Sequence, residues 1–143
     1  MKKLYVLALL AVAVVVCISA MTGRKHFKDG VFSGESQSRY TSEPYWGKVT
    51  LEIKNDNVKL RSFQIIDKEK NEVFGPDYER HFKDNAAYVE QCRNEVKGIK
   101  AYTEEFIKSK SMDQVDAITG ATWSYNLFKD ALNNALEKAR KKK

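Results

Sequence analysis

The stretch Gly47–Ile66, GKVTLEIKNDNVKLRSFQII, decides the fold. Val49, Leu51 and Ile53 alternate with Thr50 and Glu52, the period of a strand with one face buried. Asn55, Asp56 and Asn57 then supply turn residues. Val58 and Leu60 resume the alternation, with Ser62 placed on the same face. Two alternating runs joined by such a turn read as a β-hairpin. Upstream, residues 29–46 begin the domain and are punctuated by Gly30 and Gly34, with Gly47 at their end. Downstream, DKEKNEVFGPDY at 67–78 reads as a loop holding Gly75 and Pro76.

From about Asn85 the period changes. Tyr88, Cys92, Val96, Ile99, Tyr102, Phe106 and Ile107 recur every three or four residues. That spacing predicts an amphipathic helical region covering one face of the sheet, with Gly98 as a candidate break. KSKSMDQ at 108–114 is a polar connector. Leu127, Phe128, Ala131, Leu132, Ala135, Leu136 and Ala139 then trace a stripe at i, i+4 and i+8, a core face of a last helix. The sum is an α+β domain: a small antiparallel, hairpin-based sheet with packed helices and a C-terminal amphipathic helix.

The N-terminus reads differently. Lys2 and Lys3 precede an unbroken apolar run from Leu4 to Ile18, followed by Ser19, Ala20 and Met21. A positive start, an apolar run and a small residue near its end form a secretory signal. The run is slightly short of the roughly 20 residues of a spanning helix, but an uncleaved anchor is the alternative. Either way the lysines stay inside and the body lies outside the cytoplasm, secreted or membrane-anchored. Cys17 raises lipidation, although Val16 stands where a lipobox needs a small residue. The expected organisation is 1–23 signal or anchor, 24–28 polar linker, 29–139 domain and 140–143 basic tail.

The formal charge of +6 is concentrated at the ends. Lys2, Lys3, Lys138, Arg140, Lys141, Lys142 and Lys143 account for seven of the 25 basic residues, leaving 18 against 19 acidic ones. A near-neutral body lacks the footprint of a nucleic-acid binder. Cys92 is the one cysteine outside the apolar run and sits at helical spacing, as a small buried residue would. No cluster of Cys, His and carboxylate has metal-ligand spacing, and no triad or carboxylate pair marks a catalytic centre.

DAITGATWS, residues 116–124, remains to be placed. Thr119 or Thr122 can cap the last helix, and Gly120 permits a tight turn before it. The same geometry can serve chemistry, because a helix N-terminus attracts anions. A phosphoester on Thr122 would have its other oxygens held by the N–H groups of about residues 123–125. Asp116 would then have to point away, cap a turn, or act through a metal ion during attachment.

DAITGAT resembles the flavinylation motif Asp-x-x-Ser/Thr-Gly-Ala-Thr of the FMN-binding domain family, matched over all its positions with Thr119 in the Ser/Thr place. That family includes the C subunit of the sodium-pumping NADH:quinone oxidoreductase and the G subunit of the Rnf complex. DGVFSGES resembles the family's opening, the hairpin its strands, and VDAITGATWSYNLFKDALNNAL its closing motif and helix. The loop DKEKNEVFGPDYERHF departs from the family's His-rich or Glu-Thr-Pro-Gly loop, so contacts to the flavin ring are not carried over.

The resemblance implies FMN joined through its phosphate to Thr122, by a flavin transferase that takes FAD as donor and needs magnesium for attachment only. Asp116, Thr119, Gly120 and Ala121 would be what the transferase reads. Trp123 and Ser124 flank the site, with Trp123 either shielding the ring or packed on the sheet. The expected function is an extracytoplasmic electron carrier with unidentified redox partner proteins, closer to an electron-transfer protein than to a self-contained oxidoreductase. The alternative is a secreted interaction or structural module of the same fold without flavin.

Overall fold

The computed structural model describes residues 26–39 and 43–142. The apolar N-terminal run, Cys17 and Lys143 lie outside the described residues.

Four strands form one antiparallel sheet in the order β1-β2-β3-β4: β1 (Gly30–Gln37), β2 (Tyr45–Lys54), β3 (Asn57–Asp67) and β4 (Glu72–Val73). The central hairpin is β2–β3. Lys54 pairs with Asn57, leaving Asn55 and Asp56 as a two-residue loop. Their φ values of 52° and 62° are the positive pair that a type I′ turn requires. Gly34 and Gly47, read as punctuation, lie inside strands.

The face assignment of β3 needs correction. Thr50 pairs with Ser62 but Leu51 with Leu60, so Arg61 is an extra residue in a β-bulge. Alternation changes phase there. Leu60 is buried before the bulge, and Phe63, Ile65 and Asp67 after it. Ser62 therefore faces solvent. The stretch 67–78 is also more than a loop. β4 pairs with Ile66 and Asp67, and a 3-10 helix, Pro76–Phe82, starts with proline in its first turn.

Helix α1 spans Ala86–Ser109. Asn85 caps it, accepting from the Tyr88 N–H at 3.2 Å. It ends where Lys110 turns left-handed (φ 58°) and donates its N–H to the Phe106 carbonyl. The helix runs unbroken through Gly98, contrary to the expected break. Gly98 is needed for close packing: a Cβ there would lie 2.5 Å from the Ala121 Cβ. The buried stripe is Cys92, Glu95, Gly98, Tyr102 and Phe106, while Tyr88 and Ile107 are exposed.

Helix α2 spans Thr122–Ala139 and buries Leu127, Phe128, Ala131, Leu132, Ala135 and Ala139. It packs on β1 and β2, and α1 packs on α2 and β3. Both helices cover the sheet face that carries Val49, Leu51, Phe63 and Ile65. Phe63 meets Phe128 at 4.8 Å between ring centroids, and Phe106 closes on Phe128 at 6.0 Å. The opposite sheet face is polar: Glu35 pairs with Lys48 and Lys68, and the Lys68 ammonium lies 3.6 Å over the Trp46 ring.

The two ends of the domain are tied together. Phe27 forms a β-bridge with Arg140, the Lys28 N–H donates to the Ala139 carbonyl at 2.8 Å, and the Lys141 N–H donates to His26 at 3.1 Å. The Asp56 carboxylate accepts from the N–H groups of His26 (2.9 Å) and Phe27 (2.8 Å). Among the described residues no helix is long and apolar enough to cross a membrane.

Candidate functional site

The segment before α2 is held by one buried tyrosine. The Ala121 N–H donates to the Ile118 carbonyl at 3.0 Å, closing a turn around Thr119 and Gly120. Gly120 has φ +83°, the value that the third position of a type II turn demands. The Tyr102 hydroxyl accepts from the Ile118 N–H at 2.9 Å and donates to the Ala121 carbonyl at 3.0 Å. It thus ties both ends of the turn to α1. Burial pushes the Tyr102 phenol above its ordinary pKa, so it stays a donor. Ala121 is fully buried against Gly98.

The cap of α2 corrects two sequence expectations. Neither Thr119 nor Thr122 caps the helix; Ala121 holds the cap position and no side chain there accepts a bond. The acceptor comes from α1. Glu95 is buried, and its Oε2 accepts from the Ser124 N–H at 2.9 Å. The Tyr125 N–H donates to the Ala121 carbonyl at 3.2 Å, and Ser124 Oγ donates to the same oxygen at 3.0 Å. Of the N–H groups around residues 123–125, expected to cradle a phosphate, those of Ser124 and Tyr125 are therefore already engaged. A helix N-terminus leaves N–H groups short of acceptors, and this fold supplies one from α1. Burial raises the Glu95 pKa, against the lowering effect of its bonds from Ser124.

With these two amides occupied, Thr122 is left exposed on the first residue of α2. It opens onto a cavity of about 540 Å³ lined by Gln91, Asn94, Glu95, Gly120, Trp123 and Asn126 among others. A second cavity, about 640 Å³, adjoins it across Gln91, Glu95 and Trp123. Its walls are aromatic, formed by Tyr45, Phe74, Phe82, Tyr88 and Trp123, with Lys70 at the edge and Cys92 buried behind. Trp123 meets Tyr45 and Phe74 edge-on, each at 5.3 Å between centroids, and its Nε1 donates to Ser38 Oγ at 3.2 Å. It packs on the sheet and borders both cavities at once. Burial pushes the Cys92 thiol above its usual pKa, which keeps it un-ionised.

The aromatic wall is fixed by a buried carboxylate. Asp67 accepts from the Tyr78 hydroxyl (2.5 Å), the Lys70 ammonium (2.9 Å) and the N–H groups of Glu69 and Lys70. Because the Tyr78 proton is committed to Asp67, the Tyr45 hydroxyl donates to Tyr78 Oη at 2.9 Å. Burial resists ionisation of Asp67, but the bonds from Tyr78 and Lys70 outweigh it and bring its pKa to about 2. Desolvation, then the bond to Asp67, pushes Tyr78 far above the usual phenol range.

The structure thus brings Gly120, Thr122 and Trp123 to one cavity. It leaves Asp116 and Thr119 exposed on the approach, and sets Ala121 and Ser124 beneath in the core. Glu95, Tyr102, Asn94, Asn126 and the aromatic wall are additions. Glu95 had a signal: it falls three residues from both Cys92 and Gly98, on the buried side of α1. Among the described residues no group of three or more His, Cys, Asp and Glu side chains is placed to hold a metal ion.

No curated protein matches the chain. Among solved structures, the crystal structure of the CPE2226 protein from Clostridium perfringens is similar at 24% identity and a TM-score of 0.48, over 80% of this chain and 93% of that one. The FMN-binding domain family matches residues 45–137, a span from the start of β2 to the last turn of α2 that takes in the turn before Thr122, the cavity beside it and most of the second cavity's lining. The chain belongs to the FMN-binding domain family.

Proposed function

We propose that this protein is an extracytoplasmic electron carrier with FMN joined by a phosphoester to Thr122. The observation that carries the reading is the exposed Thr122 on a cavity that shares Gln91, Glu95 and Trp123 with a second, aromatic-walled one. The residues fit the group. Gln91, Asn94 and Asn126 line the cavity beside Thr122, together with the carboxylates of Glu90 and Glu95, and offer neutral amide donors to phosphate oxygens. The adjoining cavity offers flat apolar walls to a ring system. Bound FMN would supply the electron chemistry, taking two electrons and passing them on singly.

The polypeptide supplies placement. Glu95 takes the Ser124 amide for itself, so the helix end holds its shape and Thr122 stays outward. Tyr102 fixes the turn that a transferase would read, with Asp116 and Thr119 on its surface. In attachment, Thr122 Oγ would take up the FMN phosphoryl group as the pyrophosphate bond of FAD breaks. AMP leaves, and the hydroxyl proton passes to the transferase, with magnesium needed for that step alone. A covalent bond suits a shallow site outside the cytoplasm, where lost FMN has no pool to replace it.

Co-expression with a flavin transferase tests the reading. The expected result is a mass increase equal to FMN less one water, absent in Thr122→Ala and retained in Thr122→Ser. An unmodified wild-type chain under those conditions overturns it.

A further inference from the structure

The end of the molecule opposite Thr122 carries a concentrated positive charge. The β-bridge Phe27–Arg140 and the bond from the Lys141 N–H to His26 bring the C-terminal tail beside the segment through which the chain enters the domain. The β2–β3 turn sits at the same end, since Asp56 holds the N–H groups of His26 and Phe27. Lys28, Lys54, Arg140, Lys141 and Lys142 are all exposed there. In the sequence, Arg24 and Lys25 immediately precede this end and Lys143 follows it.

The acidic groups facing this end are few. Asp56 is taken up with two backbone N–H groups and also feels Lys141, and its pKa is lowered mainly by the Phe27 bond. The Asp29 carboxylate accepts from the Asn55 N–H. Glu137 and Lys138 lie one turn earlier and offset each other. The balance is strongly cationic in a body otherwise near neutral.

We infer that this basic end is a docking surface for a membrane rich in anionic phospholipid. Two observations select that occupant. The chain enters the domain at this end, and on the reading of Leu4–Ile18 as an uncleaved anchor, on which this inference rests, a membrane holding that run lies beside the lysines. The charge is complementary to anionic headgroups, which attract such residues when they are held near the bilayer surface. The consequence is an orientation. α2 has 18 residues and so is about 27 Å long. Thr122 begins it and Arg140 follows its last residue. With Arg140 on the headgroups, the cavities beside Thr122 open about a helix length from the bilayer, towards soluble partners.

The experiment uses the full chain in lipid nanodiscs, either neutral or containing phosphatidylglycerol, with lysine acylation read by mass spectrometry. Lys28, Lys141 and Lys142 report on the basic end. Lys70, beside the aromatic cavity, and Lys97, next to Gly98, report on the other end. Anionic discs should cut acylation of the first set by about fivefold relative to neutral discs. The protection should vanish in about 1 M salt, where the screening length is about 3 Å. Lys70 and Lys97 should not change. Equal acylation of the basic end in both lipids overturns the proposal, as does equal protection of all five lysines, which would mean the domain lies on its side. Neither result depends on flavin, so this inference fails or stands separately from the attachment at Thr122.

Discussion

Glu95 is the residue that sets the site. Its carboxylate is buried and accepts the Ser124 N–H in the first turn of α2, the role that a local threonine would otherwise play. Removing it leaves the buried Ser124 N–H without a partner, so Glu95→Ala should lower unfolding stability in urea by about 2 kcal/mol. Glu95→Gln keeps an acceptor of the same reach and should lose clearly less. The alanine variant should also take up less flavin, because the frayed turn is the one that presents Thr122. The Glu95 pKa is raised in the fold, so the group favours folding most below the ordinary carboxylate range, and that gain is lost as pH rises through its raised value. Equal urea midpoints for Glu95→Ala and wild type would show that the buried pairing contributes nothing. The proposal of Thr122 starts from DAITGAT. What the motif could not reveal is that the Ser124 amide behind it is already occupied, because its acceptor lies 29 residues away on another helix.

At the scale of elements, the contact between α1 and the turn before α2 is as close as two helical segments allow. Gly98 makes it possible, and Tyr102 bolts it from one turn further along. Gly98→Ala forces its Cβ into Ala121 and should cost about 1–3 kcal/mol, read as a lower thermal midpoint. A variant as stable as wild type would show that the turn shifts freely. Sequence periodicity located α1 and α2 because each buries one long face. It rotated α1 slightly, choosing Tyr88, Val96 and Ile99 where Glu95 and Gly98 lie inside, because a carboxylate and a glycine carry no apolar signal. It also missed the β3 bulge. One extra residue at Arg61 moves the following side chains to the other face, and alternation read across it necessarily fails.

For the whole molecule, the site is a shell of polar anchors around one apolar core. Asp67 holds the aromatic wall through Tyr78, Tyr45 and Lys70. Its pKa falls from 3.8 to about 2 on folding. A depressed carboxylate stabilises the fold above the unfolded pKa, and that contribution, about 2 kcal/mol, is lost as pH falls from about 4 to about 2. Thermal midpoints across that range should drop steeply for wild type and less steeply for Asp67→Asn, whose midpoint is lower from the outset. Parallel acid limbs for the two proteins would remove Asp67 from the account.

The α+β architecture followed from the hairpin and the C-terminal stripe. The grooves did not, because one arises where α1 meets the start of α2 and the other where α1 and Trp123 meet Tyr45, Phe74 and Phe82, and those contacts leave no local pattern. The central claim is that Thr122 is the residue the fold presents for FMN. The most direct measurement is fragmentation mass spectrometry of the tryptic peptide Ser111–Lys129, from protein made with a flavin transferase and washed after denaturation. The account expects FMN less one water on Thr122, with Thr119 and Ser124 bare. Flavin on either of those residues, or a peptide with no flavin at all, would contradict it.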